Sequence, residues 1–211
     1  MEIIAADIQN YCQQHSSKVD ALLTKIERET YLHVLQPHML SGAVQGQLLK
    51  LLCQLSNANY VLEFGTYTGY ATLCMAQGLV TNGTIITIEK NDEVAERAQQ
   101  YFTESAYAYQ IQLKVGNALD ILPTLQHTFD VVFIDADKKN NKLYYDWSIN
   151  HCRQGALIII DNVLWKGRVT DALPDKDTQA IIDFNTYINN DTRIQKILLP
   201  LRDGLYITRK L

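Results

Sequence analysis

Hydrophobic positions divide the chain into two parts with different periodicities. From about Ile3 to Leu35, apolar residues recur at helical spacing, and a second helix is predicted over Ala43–Leu55. From Tyr60 onward, short apolar runs alternate with helical segments. We therefore expect a helical N-terminal segment over residues 1–58 and an α/β core over residues 59–211, together forming one domain.

Five apolar runs are typical of buried β-strands, because they are continuous and are bounded by glycine or acidic residues. They are YVLEFG (60–65), TIITIE (84–89), IQLKVG (111–116), FDVVFID (129–135) and ALIIID (156–161). The helical stretches between them are Tyr70–Leu79, Asp92–Ser105, Ala118–Leu125 and Asn140–Arg153. Strands that alternate with helices imply parallel βαβ units.

The C-terminal part of the chain departs from this alternation. After a helix near Asp177–Asn189, two strand-like runs, RIQKILLP and GLYITRKL, are joined around Leu201–Asp203. That connection is too short for a crossover helix, so these two strands should be antiparallel. The predicted fold class is α/β, with a doubly wound, mostly parallel sheet, a C-terminal antiparallel strand, three α/β/α layers and additional N-terminal helices.

Composition and charge narrow the range of functions. The net charge of −4 gives the whole molecule no electrostatic bias toward nucleic acid or acidic membranes. No apolar segment approaches the roughly 20 residues of a membrane span, and the N-terminus lacks the pattern of a signal peptide. The cysteines Cys12, Cys53, Cys74 and Cys152 form no CxxC pair, and their apolar neighbours are typical of buried reduced thiols. We expect a cytoplasmic enzyme.

Carboxylates mark the ends of four predicted strands. Glu63 lies near the end of the first strand, and Glu89, Asp135 and Asp161 end three others. Ligands of an open α/β sheet bind beyond the carboxyl ends of its strands. We therefore expect the functional site at this edge of the sheet.

The first strand leads into a glycine loop with Gly65 and Gly69 in G-x-x-x-G spacing. This loop lacks the third glycine of a dinucleotide fingerprint, which disfavours NAD, and simple strand–helix turns can have the same spacing. Glu89, 20 residues beyond Gly69, could accept both ribose hydroxyls of a nucleoside. The Glu63 carboxylate would repel phosphate and favour an ammonium group. Together these residues predict S-adenosylmethionine as the cofactor.

Asp135, Asp161 and Asn162 should converge if their two strands are neighbours. Two carboxylates and an amide oxygen suit Mg²⁺, and Mn²⁺ or Ca²⁺ less specifically, although both aspartates could instead cap helices. Lys138, three residues after Asp135, could accept the proton of a metal-bound hydroxyl, unless it is an ordinary solvated lysine. The oxygen would then displace the sulfonium methyl group in line. We predict metal-assisted O-methylation with Lys138 and Asp135 as catalytic residues.

Four segments, VLEFGTYTGY, GNALDILP, FIDADKKN and DNVLWKGRV, together resemble the class I cation-dependent O-methyltransferases. This is the group of caffeoyl-CoA and catechol O-methyltransferases, and the chain is similar to bacterial-type members. The resemblance runs from about His38 to the C-terminus. It implies a Rossmann-like sheet with an antiparallel last strand, S-adenosylmethionine, Mg²⁺ and a homodimer.

The resemblance also assigns roles to single residues. The metal ligands would be Asp135, Asp161 and Asn162, and Lys138 would be the base. The cofactor site would contain Met39, Ser41, Glu63, Gly65, Thr66, Tyr67, Ala71, Glu89, Ala118, Asp135 and Asp137. Lys166 would lie on the acceptor side, and Trp165 could form a wall of an aromatic acceptor's slot or pack on its neighbours in a surface loop.

Three residues depart from the family pattern. Ala71 replaces a serine that touches the methionine carboxylate, so that hydrogen bond must be missing or replaced. Glu89 replaces the aspartate of the plant enzymes and still suits ribose. Lys166 replaces an asparagine that contacts the substrate in plant members, which puts a plant-like acceptor in doubt.

The methyl acceptor stays open at this point. A catechol or another small aromatic hydroxyl compound would explain the metal, because a vicinal diol chelates Mg²⁺ through two oxygens. The alternative is a tRNA 5-hydroxyuridine-type methyltransferase with a basic rim, although the net negative charge weighs against it. That rim would consist of Lys138, Lys139, Lys142, Lys166, Arg168 and Arg202. A non-catalytic S-adenosylmethionine-binding protein would have no use for the metal set.

Overall fold

Seven strands form one sheet in the computed structural model, which describes residues 4–211. They are β1 (Tyr60–Phe64), β2 (Thr84–Glu89), β3 (Ile111–Val115), β4 (Phe129–Ile134), β5 (Cys152–Asp161), β6 (Ile194–Leu199) and β7 (Leu205–Lys210). Their order is β3-β2-β1-β4-β5-β7-β6, with β1 to β5 parallel and β7 antiparallel to both β5 and β6. The predicted sheet is confirmed.

Eight α-helices accompany the sheet in the described part of the chain. They are α1 (Ala6–Gln14), α2 (Ala21–His33), α3 (Gly42–Leu55), α4 (Tyr70–Ala76), α5 (Asp92–Glu104), α6 (Ala118–Ile121), α7 (Asn141–His151) and α8 (Lys176–Asn190). Within residues 4–211, no helix has the length and apolar character needed to cross a membrane.

The predicted N-terminal helical stretch is divided into two helices. Residues 15–20 separate α1 from α2, and the Asp20 side chain caps α2 by accepting a hydrogen bond from Leu23 N at 2.8 Å. Residues 13–18, QQHSSK, contain no apolar residue, so the helical spacing is interrupted in the sequence where the structure has the break. Ile3, where the predicted stretch begins, lies outside the described residues.

Strand residues alternate between two cores on opposite faces of the sheet. Leu62 and Val132 pack on one face with residues of α6, α7 and α8. Val61 and Val131 pack on the other face with residues of α3 and α4. Because helices cover both faces, the strands are apolar throughout, and the three-layer, doubly wound arrangement is confirmed.

Strand β5 begins four residues before the predicted run. Phe129 pairs with Cys152, and the register then shifts so that Val131 pairs with Leu157. Gly155, at φ +79, lies in the strand segment that this irregularity adds. The glycine and its polar neighbours interrupt the apolar run, and the glycine accommodates the bulge.

The four cysteines are free, but they are not all buried. Cys53, Cys74 and Cys152 are buried, whereas Cys12 is exposed. Cys12 lies on α1, a helix with no buried residue. The prediction of a buried thiol is therefore wrong at Cys12, because its apolar sequence neighbours face solvent as well.

The sheet changes its direction of winding between β1 and β4, the switch point at which such folds bind ligands. Backbone hydrogen bonds extend the strands beyond their ends. Gly65 N donates to Ile88 O, and Asp135 N donates to Phe64 O, both at 2.9 Å. The glycine loop and the residues after β4 therefore lie side by side at the carboxyl edge.

Candidate active site

A pocket opens at this edge between the glycine loop, the end of β4 and the segment before α3. Its lining consists of Met39, Leu40, Ser41, Gly65, Thr66, Tyr67, Tyr70, Ala71 and Asp135. All of these except Leu40 and Tyr70 belong to the predicted cofactor set. Leu40 and Tyr70 could not be predicted from the sequence, because an apolar and an aromatic side chain do not by themselves indicate cofactor binding.

Gly65 brings the loop into contact with the end of β4. It has φ +91, and a Cβ built there would lie 2.1 Å from the Asp135 carbonyl oxygen. Gly69, at φ +82, is similarly confined, since its Cβ would lie 2.5 Å from the Phe102 ring. Only glycine fits these two backbone conformations and close approaches.

Glu89 is held beside the glycine loop by three backbone groups. One carboxylate oxygen accepts a hydrogen bond from Tyr67 N at 2.8 Å. The other accepts from Lys90 N and Asn91 N, each at 2.9 Å. The end of β2 is thereby joined to the loop, and a half-buried carboxylate is fixed next to the pocket.

Glu63 lies beneath the loop and does not line the pocket. It is fully buried, and the hydroxyls of Thr72 and Thr87 donate to its Oε2. Burial raises the pKa of Glu63 to about 8, against the opposite effect of these two hydrogen bonds. Its Oε1 has no hydrogen-bond partner among the described residues. The geometry gives Glu63 a supporting position under the loop.

Lys138 connects the ends of β4 and β5. Its Nζ lies 3.3 Å from Asp135 Oδ1 and donates to the Asp161 carbonyl oxygen at 3.4 Å. Asp161 is only 5% exposed, and Asn162 follows it with φ +61. Burial and then the charge of Asp135 raise the pKa of Asp161 to about 6, while Lys138 acts in the opposite direction. The structure thus brings the predicted metal and base residues to adjacent strand ends.

Within residues 4–211, no group of three or more His, Cys, Asp or Glu side chains is arranged to hold a metal ion. The predicted metal ligands are two carboxylates and one amide, so they do not form a group of that kind. Gln45, which the sequence did not single out, extends this set. Its Nε2 donates to Asp161 Oδ2 at 2.6 Å.

Asp137 and Ala118 lie outside the pocket lining. Asp137 accepts hydrogen bonds from the Tyr144 hydroxyl at 2.7 Å and from the Asn140 side chain at 2.8 Å. Ala118 is the first residue of α6, just after β3, and is 8% exposed. The contacts of Asp137 stabilise the segment that carries Lys138.

The turn between β6 and β7 holds two walls of the site. The Arg202 guanidinium donates to the carbonyl oxygens of His38 and Leu40. Next to it, Asp203 accepts from Lys166 N through its side chain and from Leu164 N through its carbonyl oxygen. The pocket segment before α3 and the loop after β5 are therefore joined through one turn.

The loop after β5 contains the two predicted acceptor-side residues. Trp165 and Lys166 are consecutive residues in the left-handed region, at φ +49 and +56. Trp165 is half-buried and Lys166 is exposed. Two such residues in a row store backbone strain, which persists only where surrounding contacts hold it, and Asp203 provides one of those contacts.

The model of a family described as O-methyltransferase matches residues 13–211. The chain belongs to this O-methyltransferase family. It is 37% identical to a catechol O-methyltransferase of Niastella koreensis over 74% of this chain and 73% of that protein. It is 32% identical to a caffeoyl-CoA O-methyltransferase of Nicotiana tabacum, over 82% and 78% of the two chains.

A solved structure extends the similarity to almost the whole length of the methyltransferase. The crystal structure of the O-methyltransferase TomG from Streptomyces achromogenes in complex with SAM is 32% identical in sequence and has a TM-score of 0.86. The match covers 97% of this chain and 96% of that chain. The predicted family and the predicted class of enzyme, an S-adenosylmethionine-dependent O-methyltransferase, are confirmed.

Proposed function

We propose that this O-methyltransferase depends on a divalent metal ion and methylates a hydroxyl of a catechol-like or other small aromatic acceptor. The main support is the contact of Lys138 with both Asp135 and the Asp161 backbone, at the ends of adjacent strands beside the pocket. Catechol and caffeoyl-CoA O-methyltransferases among the relatives support a phenolic acceptor.

S-adenosylmethionine would bind in the pocket with its methionine part against Gly65, Thr66 and Tyr67. Its ribose would reach Glu89, whose carboxylate is fixed beside the same loop. The backbone of the loop can approach the cofactor closely, because Gly65 carries no side chain. Ala71 lines this pocket without a hydroxyl, so another group must contact the methionine carboxylate.

The residues near Asp161 fit a hard cation. Asp135, Asp161 and Asn162 offer only oxygen ligands, the ligand type that Mg²⁺ prefers. Burial and then the negative charge of Asp135 raise the pKa of Asp161, and the positive charge of Lys138 offsets this only in part. The Gln45 Oε1 nearby is a buried acceptor without a donor among the described residues, which favours a positively charged neighbour.

Bound there, Mg²⁺ would orient the acceptor hydroxyl and make it more acidic. Lys138 in its neutral amine form would receive the proton of that hydroxyl, and Asp135, 3.3 Å from its Nζ, would orient the resulting ammonium. The pocket walls would hold the acceptor oxygen in line with the methyl group and exclude water.

The tRNA acceptor is not favoured, because the candidate basic rim is partly neutralised. Lys142 forms an ion pair with Asp146 at 2.6 Å, and Arg168 pairs with Asp175 at 2.9 Å. Arg202 is engaged with two backbone carbonyls. The net charge of −4 also gives the molecule no overall attraction to a phosphate backbone.

The acceptor can be tested with labelled S-adenosylmethionine and Mg²⁺. We expect methyl transfer to catechol and caffeic acid, and much slower transfer to a matched monophenol, which lacks the second chelating oxygen. Unmethylated tRNA serves as the comparison substrate. Transfer to tRNA alone would overturn the acceptor class but leave the O-methylation chemistry in place.

A further inference from the structure

Gln45 is a polar residue on an apolar helix face. Gln45, Leu49 and Cys53 follow one another at four-residue intervals along α3, and all three are completely buried. An apolar side chain would fill such a position without the cost of burying an amide. The presence of glutamine here therefore calls for a specific partner.

That partner is Asp161. Gln45 Nε2 donates to Asp161 Oδ2 at 2.6 Å, and Asn162 N donates to Oδ1 of the same carboxylate at 2.7 Å. The backbone bond comes from the residue next in sequence, so it moves with Asp161. Gln45 is the side chain from a distant part of the chain that fixes the direction of the carboxylate.

Helix α3 is held in place by close packing on α4. Gly46, the next residue, packs so closely on α4 that a Cβ there would lie 2.6 Å from Cys74 Sγ. One turn before Gln45, Ser41 lines the cofactor pocket. The same short stretch of chain thus contacts the pocket and the end of β5.

We propose that Gln45 is a positioning residue, which orients the Asp161 carboxylate for the divalent metal ion. This inference rests on the proposed metal dependence. Hydrogen-bonded partners of metal ligands typically contribute 10- to 100-fold to metal affinity, because they hold the ligand in its binding orientation.

The test is a Mn²⁺ titration followed by electron paramagnetic resonance, with S-adenosylhomocysteine bound so that no turnover occurs. We expect Gln45→Met, which keeps the size of the side chain but removes the donor, to bind Mn²⁺ about 10-fold or more weakly. Affinity for S-adenosylhomocysteine, measured by calorimetry, should stay within about twofold, a smaller effect than a lost direct contact would give. Gln47→Met is the matched control, since Gln47 lies on the same helix and is half-buried.

Gln45→Asn provides a second variant in case the methionine variant folds poorly. It keeps the polarity but shortens the side chain by one methylene, so its amide cannot reach Asp161, and we expect the same loss of Mn²⁺ affinity. Asp161→Asn is the reference for loss of a ligand. Wild-type Mn²⁺ affinity in both Gln45 variants, with binding lost in Asp161→Asn, would overturn the role of Gln45 and leave the proposed function standing. No Mn²⁺ binding by the wild-type protein would overturn both.

Discussion

Replacing Gly65 with alanine tests whether the cofactor loop and the end of β4 must touch. At φ +91, an added Cβ would lie 2.1 Å from the Asp135 carbonyl oxygen and 2.9 Å from its carbonyl carbon. The left-handed conformation costs about 1–2 kcal/mol, and overpacking adds about 1–3 kcal/mol. We therefore expect Gly65→Ala to lower the free energy of unfolding by roughly 2–5 kcal/mol.

Gly167→Ala is the matched control for the conformational cost alone. Gly167 has φ +80, but no described atom lies within 4 Å of its added Cβ. The free energy of unfolding of Gly167→Ala, measured by urea denaturation, should fall by only about 1–2 kcal/mol. Because the clash displaces Asp135, Gly65→Ala should also bind S-adenosylmethionine about 10-fold or more weakly by calorimetry. Equal stability of the two variants, together with unchanged cofactor binding by Gly65→Ala, would refute the reasoning.

Three further substitutions give separate outcomes. Arg202→Met removes the donors to the 38–40 segment, so the KM for S-adenosylmethionine should rise about 10-fold; an unchanged KM would contradict this role. Asp203→Ala frees Lys166 N, and steady-state kinetics should show a raised KM for the acceptor rather than for the cofactor. For Glu63, burial raises the pKa from 4.5 to about 8, so the wild-type protein loses stability as pH rises through this window, because the unfolded chain releases the proton first. Glu63→Gln cannot titrate, so its free energy of unfolding should not fall in this way. Between pH 4.5 and 8, the difference in free energy of unfolding between wild type and variant should shift in favour of the variant by at most about 1.4 kcal/mol per pH unit. A difference that stays constant with pH would exclude a buried neutral acid at Glu63.

The strands could be predicted because both faces of the sheet are covered. Residues such as Val131 and Val132 point to opposite sides, yet both are buried, so the whole run is apolar. The start of β5 could not be predicted from apolarity, because a register shift and Gly155 interrupt the run. The break before α2 does have a local signal, since Asp20 is a typical helix-capping residue.

The site residues that lie at the ends of strands could be predicted from the sequence. Glu89, Asp135 and Asp161 stand at or just beyond strand ends, and parallel strands bring these ends to one edge. Gln45 and Arg202 were missed as positioning residues because their partners are distant in sequence. The Gln45–Asp161 bond spans 116 residues and the Arg202–Leu40 bond spans 162, so only the folded chain reveals them. A glutamine on the apolar face of α3 was the one available signal.

Metal dependence is the central claim, and the most direct measurement is the rate of methyl transfer to catechol with Mg²⁺ and with a chelator. We expect transfer to the catechol oxygen with Mg²⁺, loss of activity in the chelator, and recovery when excess Mg²⁺ is returned. Asp161→Ala should be inactive under all three conditions while its S-adenosylmethionine affinity stays within about twofold of the wild type, since Asp161 does not line the cofactor pocket. Equal rates in chelator and in Mg²⁺ would contradict the metal mechanism.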